Sequence, residues 1–387
     1  MTDLQIGVIG AGGRGGLAAY AHQPGAGSRI VACCDMDDAT LQRCRERYGR
    51  DIFTTHEYQA LLERDLDAVF VATPDYWHEE HAVAALEAGK AVYLEKPLAI
   101  TIPGCDHILE TAVRTQGTLY LGHNMRHMAF VLKMKELIDS GAIGEVKTAW
   151  CRHFVGHGGD FYYKDWHADR RYSTGLLLQK ATHDLDVMHW LCGGYSALVN
   201  ALGGLTLFGQ ITDRIGPDEK GRNPGARLEH WPPLTHKGLF HTVDVEDVSM
   251  MNMLLDNGIY AAYQQCHYTP DYWRNYTFIG TEGRLENVGN GEDGTVIKLW
   301  NQRHHGYAEA DLVVPITVEK GSHGGADPKI VNEFLEVVRG NAKPSTSPVA
   351  ARYSVAAGCA ATESLRNGGK PMKIAWCLPT TVEAYFA

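Results

Sequence analysis

The sequence predicts two kinds of architecture in series: a doubly wound parallel α/β sheet in the first third, then an α+β region built on a mostly antiparallel, open-faced sheet. Three observations carry this. Near-continuous apolar runs alternate with helical segments from the N-terminus to about residue 125. A glycine-rich turn follows the first of those runs directly. From about Arg126 onward, strand-like runs are separated by turn signals such as DNG and GTEG, with few helices between them. The domain division expected is therefore 1–125 and 126–387.

In order along the chain, QIGVIGAGGRGG joins a β-branched strand to Gly10, Gly12 and Gly15 in GxGxxG spacing. Gly10 permits the tight turn, Gly12 lets backbone N–H groups approach a pyrophosphate, and Gly15 lets helix and strand pack closely. Gly13 and Arg14 belong to the same phosphate-facing turn, at a helix start that attracts anions. The next strand, RIVACCD, ends at Asp35, a little beyond the ~20-residue separation expected of the acid that holds the adenine ribose. Asp35 accepts from both ribose hydroxyls and repels a 2′-phosphate, with Asp37 and Asp38 adding to the repulsion, so the Rossmann pattern favours NAD over NADP. LDAVFVATP, the helix HEEHAVAALEAG, KAVYLEKP, a helix from about Ile102 to Val113, and TLYLGHN complete the unit. Ligands of such sheets sit at the carboxyl ends of the strands. Thr73, Pro74, Glu95, Lys96 and Pro97 lie there, and the Lys96 ammonium is of the type that holds a reacting oxygen.

Composition narrows the partners. A formal charge of −10 argues against nucleic acid and anionic membranes, which require concentrated Lys and Arg. MTDLQIGVIG shows no basic leader ahead of an apolar run, which points to a cytoplasmic protein. Nine cysteines without a CxxC pair give neither a disulfide framework nor a zinc site, and HEEH lacks HExxH spacing; no metal is expected.

The second region opens on EVKTAWCRHFV and continues through ALVNALGGLTLFG, VSMMNMLLDNGIYAAYQQCHY, NYTFIG, GTVIKLW and DLVVPITV. Within it, GLLLQKATHDLDVMHWL reads as an amphipathic helix. Steps of about 100° place Gln179, His183, Asp186 and Trp190 opposite Ala181, Leu185, Met188 and Cys192. The polar side is narrow, which suits a cleft wall or a hydrogen-bonded core histidine. Lys180 projects elsewhere and is placed to pair with Asp184 one turn later. The preceding segment, CRHFVGHGGDFYYKDWHADRRYS, combines Tyr163, Lys164 and Trp166 with further aromatic, histidine and arginine side chains. Aromatic faces stack on pyranose rings and the polar tips bond hydroxyls, so a carbohydrate, neutral or anionic, competes there with plain interface packing. The Gly- and Pro-rich stretch from Ile215 to Gly238 reads as a cleft rim or an intersubunit arm. GSHGGADP sets His323 on a loop for which a turn or N-cap role with Asp327 is the simpler account.

Taken together, GxGxxG, Asp35, Thr73–Pro74 with His78, and above all Glu95–Lys96–Pro97 resemble the Gfo/Idh/MocA oxidoreductase family. The likeness extends through GHNMRHMAFVLKMKELIDSGAIGEV, NYTFIGTEGRLEN and the C-terminal PVAARYSVAAGCAATESLRNGGKPMKI. The resemblance implies an NAD-linked enzyme whose EKP lysine and a second-domain histidine, matched by Lys96 and His183, surround the reacting carbinol. It also implies Arg126 at the start of the first helix after the nucleotide domain, and homo-oligomerisation, as a dimer or tetramer, through the antiparallel sheet. Four residues before the histidine the family has an aspartate, where this chain has Gln179. A carboxamide bonds a sugar hydroxyl but takes up no proton, so Lys180 and Asp186 are candidates to compensate.

Three functions fit. In the first, a secondary hydroxyl of a sugar, glycoside or polyol gives hydride to NAD, with His183 or Lys96 as base; Lys96, Arg126, Tyr163, Lys164, Trp166, Gln179, Lys180 and His183 contact the substrate. The second is an NAD-dependent glycosidase using transient ring oxidation, elimination and water addition. The third is a non-catalytic NAD-binding sensor, which has no need of Lys96 or His183.

Overall fold

The computed structural model describes residues 2–319, 321, 323–375 and 378–387. The chain divides into two compact units, one of Met1–His127, Gly321–Val355 and Cys377–Ala387, the other of Met128–Lys320 and Ala356–Trp376.

The first unit is built on six parallel strands: β1 (Leu4–Ile9), β2 (Ser28–Cys34), β3 (Phe53–Thr55), β4 (Ala68–Val71), β5 (Ala91–Leu94) and β6 (Leu119–Leu121). They lie in the order β3-β2-β1-β4-β5-β6, so the strand order reverses beside β1, where doubly wound sheets take their ligands. Burial on both faces explains why these strands read as unbroken apolar runs; all four residues of β4 are enclosed. The expected helix near Ile102 is found at Ile102–Thr115, with the Thr101 side chain accepting from Gly104 N at its start. After the glycine turn, however, the chain winds as a 3-10 helix over Gly13–Ala21. The helix Ala326–Val338 belongs to this unit. Its Phe334 is fully buried and meets Phe70, Tyr93 and Tyr120 at ring separations of 5.2, 5.6 and 5.6 Å.

The second unit carries nine strands: β7 (Val146–Val155), β8 (Ser196–Gly204), β9 (Val248–Leu255), β10 (Tyr260–Cys266), β11 (Tyr272–Gly280), β12 (Arg284–Val288), β13 (Val296–Trp300), β14 (Leu312–Pro315) and β15 (Met372–Lys373). Their order is β14-β13-β12-β11-β7-β10-β9-β8-β15, antiparallel except for β7 with β10. Residues alternate between core and solvent along these strands: Ala149, Cys151 and His153 of β7 are buried while Lys147, Trp150 and Arg152 are exposed. The solvent side also displays Leu202, Met250 and Tyr260. A separate small core of Tyr163, Phe208, Leu239, Phe240 and Val245 anchors the long insertion between β8 and β9.

Among the described residues no helix is long and apolar enough to cross a membrane, and the eight described cysteines are free thiols; Cys377 lies outside the described residues.

Phe334→Ala should cost about 3–5 kcal/mol, because the cavity opens against three aromatic rings that cannot all relax. Urea unfolding of the full chain reads this as a lower midpoint. An unchanged midpoint would place the helix Ala326–Val338 outside the parallel-sheet core.

Candidate functional site

In the first unit, β1 runs into a turn whose shape glycine alone supplies at two points. Gly10 has φ +80°, and a Cβ there would sit 2.8 Å from the Ala72–Thr73 peptide beyond β4. A Cβ on Gly15 would lie 1.9 Å from Gly10 O. Gly13 (φ +47°) faces open space. The Gly12 N–H donates to Asp35 Oδ2 at 2.9 Å and Asp37 N donates to Oδ1 at 3.0 Å, so the acid after β2 is already aimed at the turn. A cavity of about 210 Å³ beside it is lined by Gly12, Gly13, Gly16, Thr40, Arg43 and Arg47. An open approach at Gly13, an oriented carboxylate and adjoining space fit a dinucleotide.

At the strand exits, His78 spans two loops: Nδ1 lies 2.6 Å from Pro97 O and Nε2 3.0 Å from Thr73 O. It thereby fastens the segment after β4 to the one after β5. Thr73 Oγ1 meets His81 Nδ1 at 3.1 Å, and Pro74 precedes a short 3-10 turn at Asp75–Trp77. Glu95 is buried immediately beyond β5, and Lys96, next to it, is half-buried. Arg14, read from the sequence as phosphate-facing, commits its guanidinium to acids: Nε to Glu95 at 2.8 Å, and a two-pronged contact with Asp327 at 2.7 and 2.9 Å. Burial opposes charge on Arg14, but Glu95 and Asp327 outweigh it and raise its pKa. Asp327 also departs from the N-cap role. Gly325 occupies that position, and the Asp327 carboxylate in the first turn accepts from Arg14, from Asn124 Nδ2 at 3.0 Å and contacts His323 Nδ1 at 3.0 Å. Burial alone would raise its pKa; His323 and Arg14 hold it well below the usual carboxylate range. Arg126 lies in a short 3-10 turn, Asn124–His127, ahead of the helix Ala129–Asp139; it is buried, with Nη1 donating to Ser345 O at 3.1 Å.

In the second unit, the segment read as one helix is two, Leu176–Gln179 and Thr182–Cys192. Between them Ala181 N bonds Leu176 O, five residues back rather than four, so the ladder slips between Gln179 and His183. Its titratable residues divide by role. Asp184 is fully enclosed, and the expected pairing with Lys180 is not formed. Instead its carboxylate forms an ion pair with Arg274, whose Nε lies 2.9 Å away, and is hydrogen-bonded to His153 Nδ1 at 3.1 Å, Tyr263 Oη at 3.2 Å and the Tyr276 hydroxyl. Lys180 Nζ lies over the rings of Tyr162 and Tyr272, at 5.6 and 5.9 Å. Burial by itself raises the Asp184 pKa; Arg274, His153 and Tyr276 outweigh it and drive it down. Burial, then Arg274, pushes His153 down to about 3, so its ring is neutral. A carboxylate only accepts, hence the proton sits on Nδ1 and Nε2 accepts from Tyr272 Oη at 3.2 Å. His189 is a second core histidine, with Nε2 2.8 Å from Ser196 Oγ. Gln179 and Asp186 are buried and His183 is half-buried.

Of the carbohydrate candidates, Tyr163 is corrected: it is 0% exposed and stacks on Phe208 at 4.3 Å inside the small core, which leaves no ring face for a sugar. Trp166 stacks on His167 at 3.7 Å and stays half-buried, as does Lys164, whose pKa burial lowers. The Asp184–Arg274 centre went unread in the sequence. Its signal was the alternation of Arg274 with Tyr276 and Phe278, which puts a guanidinium on the inward face of β11, where it requires an acid.

The pattern described as oxidoreductase family, NAD-binding Rossmann fold, matches residues 4–123, and that of the oxidoreductase family C-terminal alpha/beta domain matches residues 135–374. An inositol 2-dehydrogenase of Salmonella typhimurium is 28% identical over 192 residues, 49% of this chain and 54% of that protein. A 2,7-anhydro-N-acetylneuraminate hydratase of Mediterraneibacter gnavus is 32% identical over 208 residues, 53% of each chain. The chain thus matches about half the length of these two relatives. A levoglucosan dehydrogenase solved with NADH and levoglucosan shares the fold at TM-score 0.76 with 18% identity, covering 96% of this chain and 99% of that one.

Gly15→Ala should abolish NADH binding in a fluorescence titration, since the new methyl collides with Gly10 O and the turn must open; retained affinity would separate this turn from the cofactor. A second expectation concerns pH. Burial pushes His81 down to about 4 from 6.5, although Glu80 opposes it. The folded ring stays neutral while the unfolded one protonates, so stability is complete above about 6.5 and falls by about 3 kcal/mol on acidification to about 4. His81→Gln removes this contribution. The gap in urea midpoint between wild type and variant should shrink or invert from pH 7 to pH 5; a constant gap would show that His81 ionises alike in both states.

Proposed function

This chain belongs to the Gfo/Idh/MocA oxidoreductase family, and on that premise we propose that it is an NAD-dependent enzyme oxidising a secondary hydroxyl of a sugar, glycoside or polyol. The observation that carries the reading is the pre-aimed nucleotide turn, with Asp35 bonded to Gly12 N and Lys96 in the same unit just past β5. Bound NAD supplies the hydride acceptor. In this reading the Lys96 ammonium holds the carbinol oxygen and stabilises its developing negative charge, and His183 takes the hydroxyl proton as the C–H hydride leaves and the C=O bond forms. Gln179 bonds a neighbouring hydroxyl, where a carboxamide serves as well as an acid, and Asp186 is the acid available near His183 in sequence. Arg126, Lys164, Trp166 and Lys180 are the remaining proposed substrate contacts. The names of the inositol 2-dehydrogenase and levoglucosan dehydrogenase support the substrate class.

A second reading, an NAD-dependent glycosidase acting by transient oxidation, elimination and hydration, is favoured by one observation: the hydratase is 32% identical over its matching half. We place the enzyme in the cytoplasm as a homo-oligomer without nucleic-acid or membrane partners. Support comes from its net charge of −10 and from Trp150, Leu202, Met250 and Tyr260 exposed on one broad sheet.

Lys96→Ala and His183→Ala should each lower kcat by about 10²- to 10⁴-fold while NADH affinity is kept. Near-normal turnover in both variants would remove these residues from the chemistry. Incubation with aryl glycosides and NAD separates the two readings: stoichiometric NADH supports the dehydrogenase, and aglycone release without net NADH supports the glycosidase.

A further inference from the structure

We propose that Asp160, His230 and His236 form a binding site for a divalent transition-metal ion of the zinc type, which ties the long insertion after β8 to the short helix Gly158–Tyr162. The inference stands apart from the oxidoreductase reading, since it uses none of the proposed catalytic residues.

The three side chains bring one ligand atom each within 4.8 Å of one another. Asp160 is 1% exposed, an acid removed from water and so in need of cationic or hydrogen-bonding partners. Its Oδ1 lies 2.6 Å from His230 Nδ1 and 3.8 Å from His236 Nδ1. Its Oδ2 accepts from Arg227 N at 3.0 Å, which fixes the carboxylate plane as outer-shell bonds to metal ligands do. The independent observation is His236. This residue is 6% exposed, and its Nδ1, turned toward Asp160, has no hydrogen-bond partner. A buried imidazole nitrogen left in that condition is costly, and a metal satisfies it. The opposite edge of the ring is fixed by close packing: a Cβ on Gly159 would lie 2.5 Å from His236 Nε2, so only glycine lets the ring sit there with Nδ1 inward.

Donor chemistry selects the ion. Two imidazoles and one carboxylate suit zinc, cobalt, nickel or iron, whereas calcium and magnesium demand oxygen. Bonds of about 2.0–2.1 Å in a tetrahedral shell set ligand atoms about 3.3 Å apart. His236 therefore has to approach Asp160 by about half an ångström and His230 to recede by somewhat more, movements within reach of side-chain torsions. The Asp160 charge acts on the Lys164 ammonium, and Arg227 gives only its backbone N–H to Oδ2, so Oδ1 is left to the two histidines. Three protein ligands leave a fourth position for water or an oxygen-bearing ligand.

No spacing rule exposes such a site, because Asp160 and His230 are 70 residues apart in the chain.

The test uses the full-length protein produced with zinc supplementation and dialysed without chelator. Mass-spectrometric metal analysis should find about one equivalent of zinc per chain, falling at least tenfold in His230→Ala and His236→Ala and staying full in His107→Ala, an exposed histidine of the other unit. Cobalt replacement should give visible d–d bands of tetrahedral intensity that Gly159→Ala weakens without removing any ligand. Circular dichroism of each variant separates metal loss from misfolding. Zinc added to the stripped protein should slow tryptic cleavage at Lys220, Arg222 and Arg227 at least tenfold. Wild-type protein with neither zinc nor cobalt bands, or metal retained in both histidine variants, overturns the site; metal binding without protection of the insertion overturns the tether.

Discussion

The constraint on which the second unit depends is a single carboxylate taken out of water. Asp184 is fully buried, and an isolated ion there would be untenable. It is tenable because β7, β10 and β11 each present a partner to it: His153, Tyr263, and Arg274 with Tyr276. Such a centre adds little net stability over an apolar equivalent, since desolvation of both charges offsets their attraction. What it contributes is position. A helix packed by leucines alone can rotate or slide at small cost, whereas one carrying an acid that must meet three strands has one register. His183 is adjacent to that acid, so its place on the helix is set by a charge pair rather than by packing alone.

The first unit solves a different problem, that of bringing backbone close to a polyphosphate. There the constraint is steric. Gly10 and Gly15 are required by neighbouring backbone atoms, and Asp35 holds the turn through the Gly12 amide. The acids around Arg14 continue the same logic. Glu95 and Asp327 fix that guanidinium from two directions, so the helix Ala326–Val338 is bonded into the turn region of its own unit as well as packed on the sheet. The EKP motif thus joins two roles: the glutamate braces the glycine-rich turn, and the lysine beside it is the proposed oxygen holder.

The helix Thr182–Cys192 shows why polar residues on an apolar segment resist a single explanation. Asp184 and His189 serve the core, the former against the sheet and the latter against Ser196. Gln179, His183 and Asp186 are the ones proposed to act in the chemistry. A wheel built on a constant period grouped Gln179, His183 and Asp186 on one side, but it left Asp184 to Lys180 and gave His189 no role, because their partners on the sheet and at Ser196 follow from no period.

The sequence by itself determined the parallel sheet, the glycine turn with Asp35, the mostly antiparallel second sheet and the family, since each depends on local periodicity or on a motif whose residues are near neighbours. Only the tertiary structure decided that Arg14 serves Glu95 and Asp327, that Tyr163 is core, that Lys180 lies over tyrosine rings, and that Asp184 belongs to Arg274. The physical reason is the same in each case. A charge or an aromatic ring takes its role from whichever partner is nearest in space, and those partners lie tens to hundreds of residues away along the chain, where no period or spacing rule reaches.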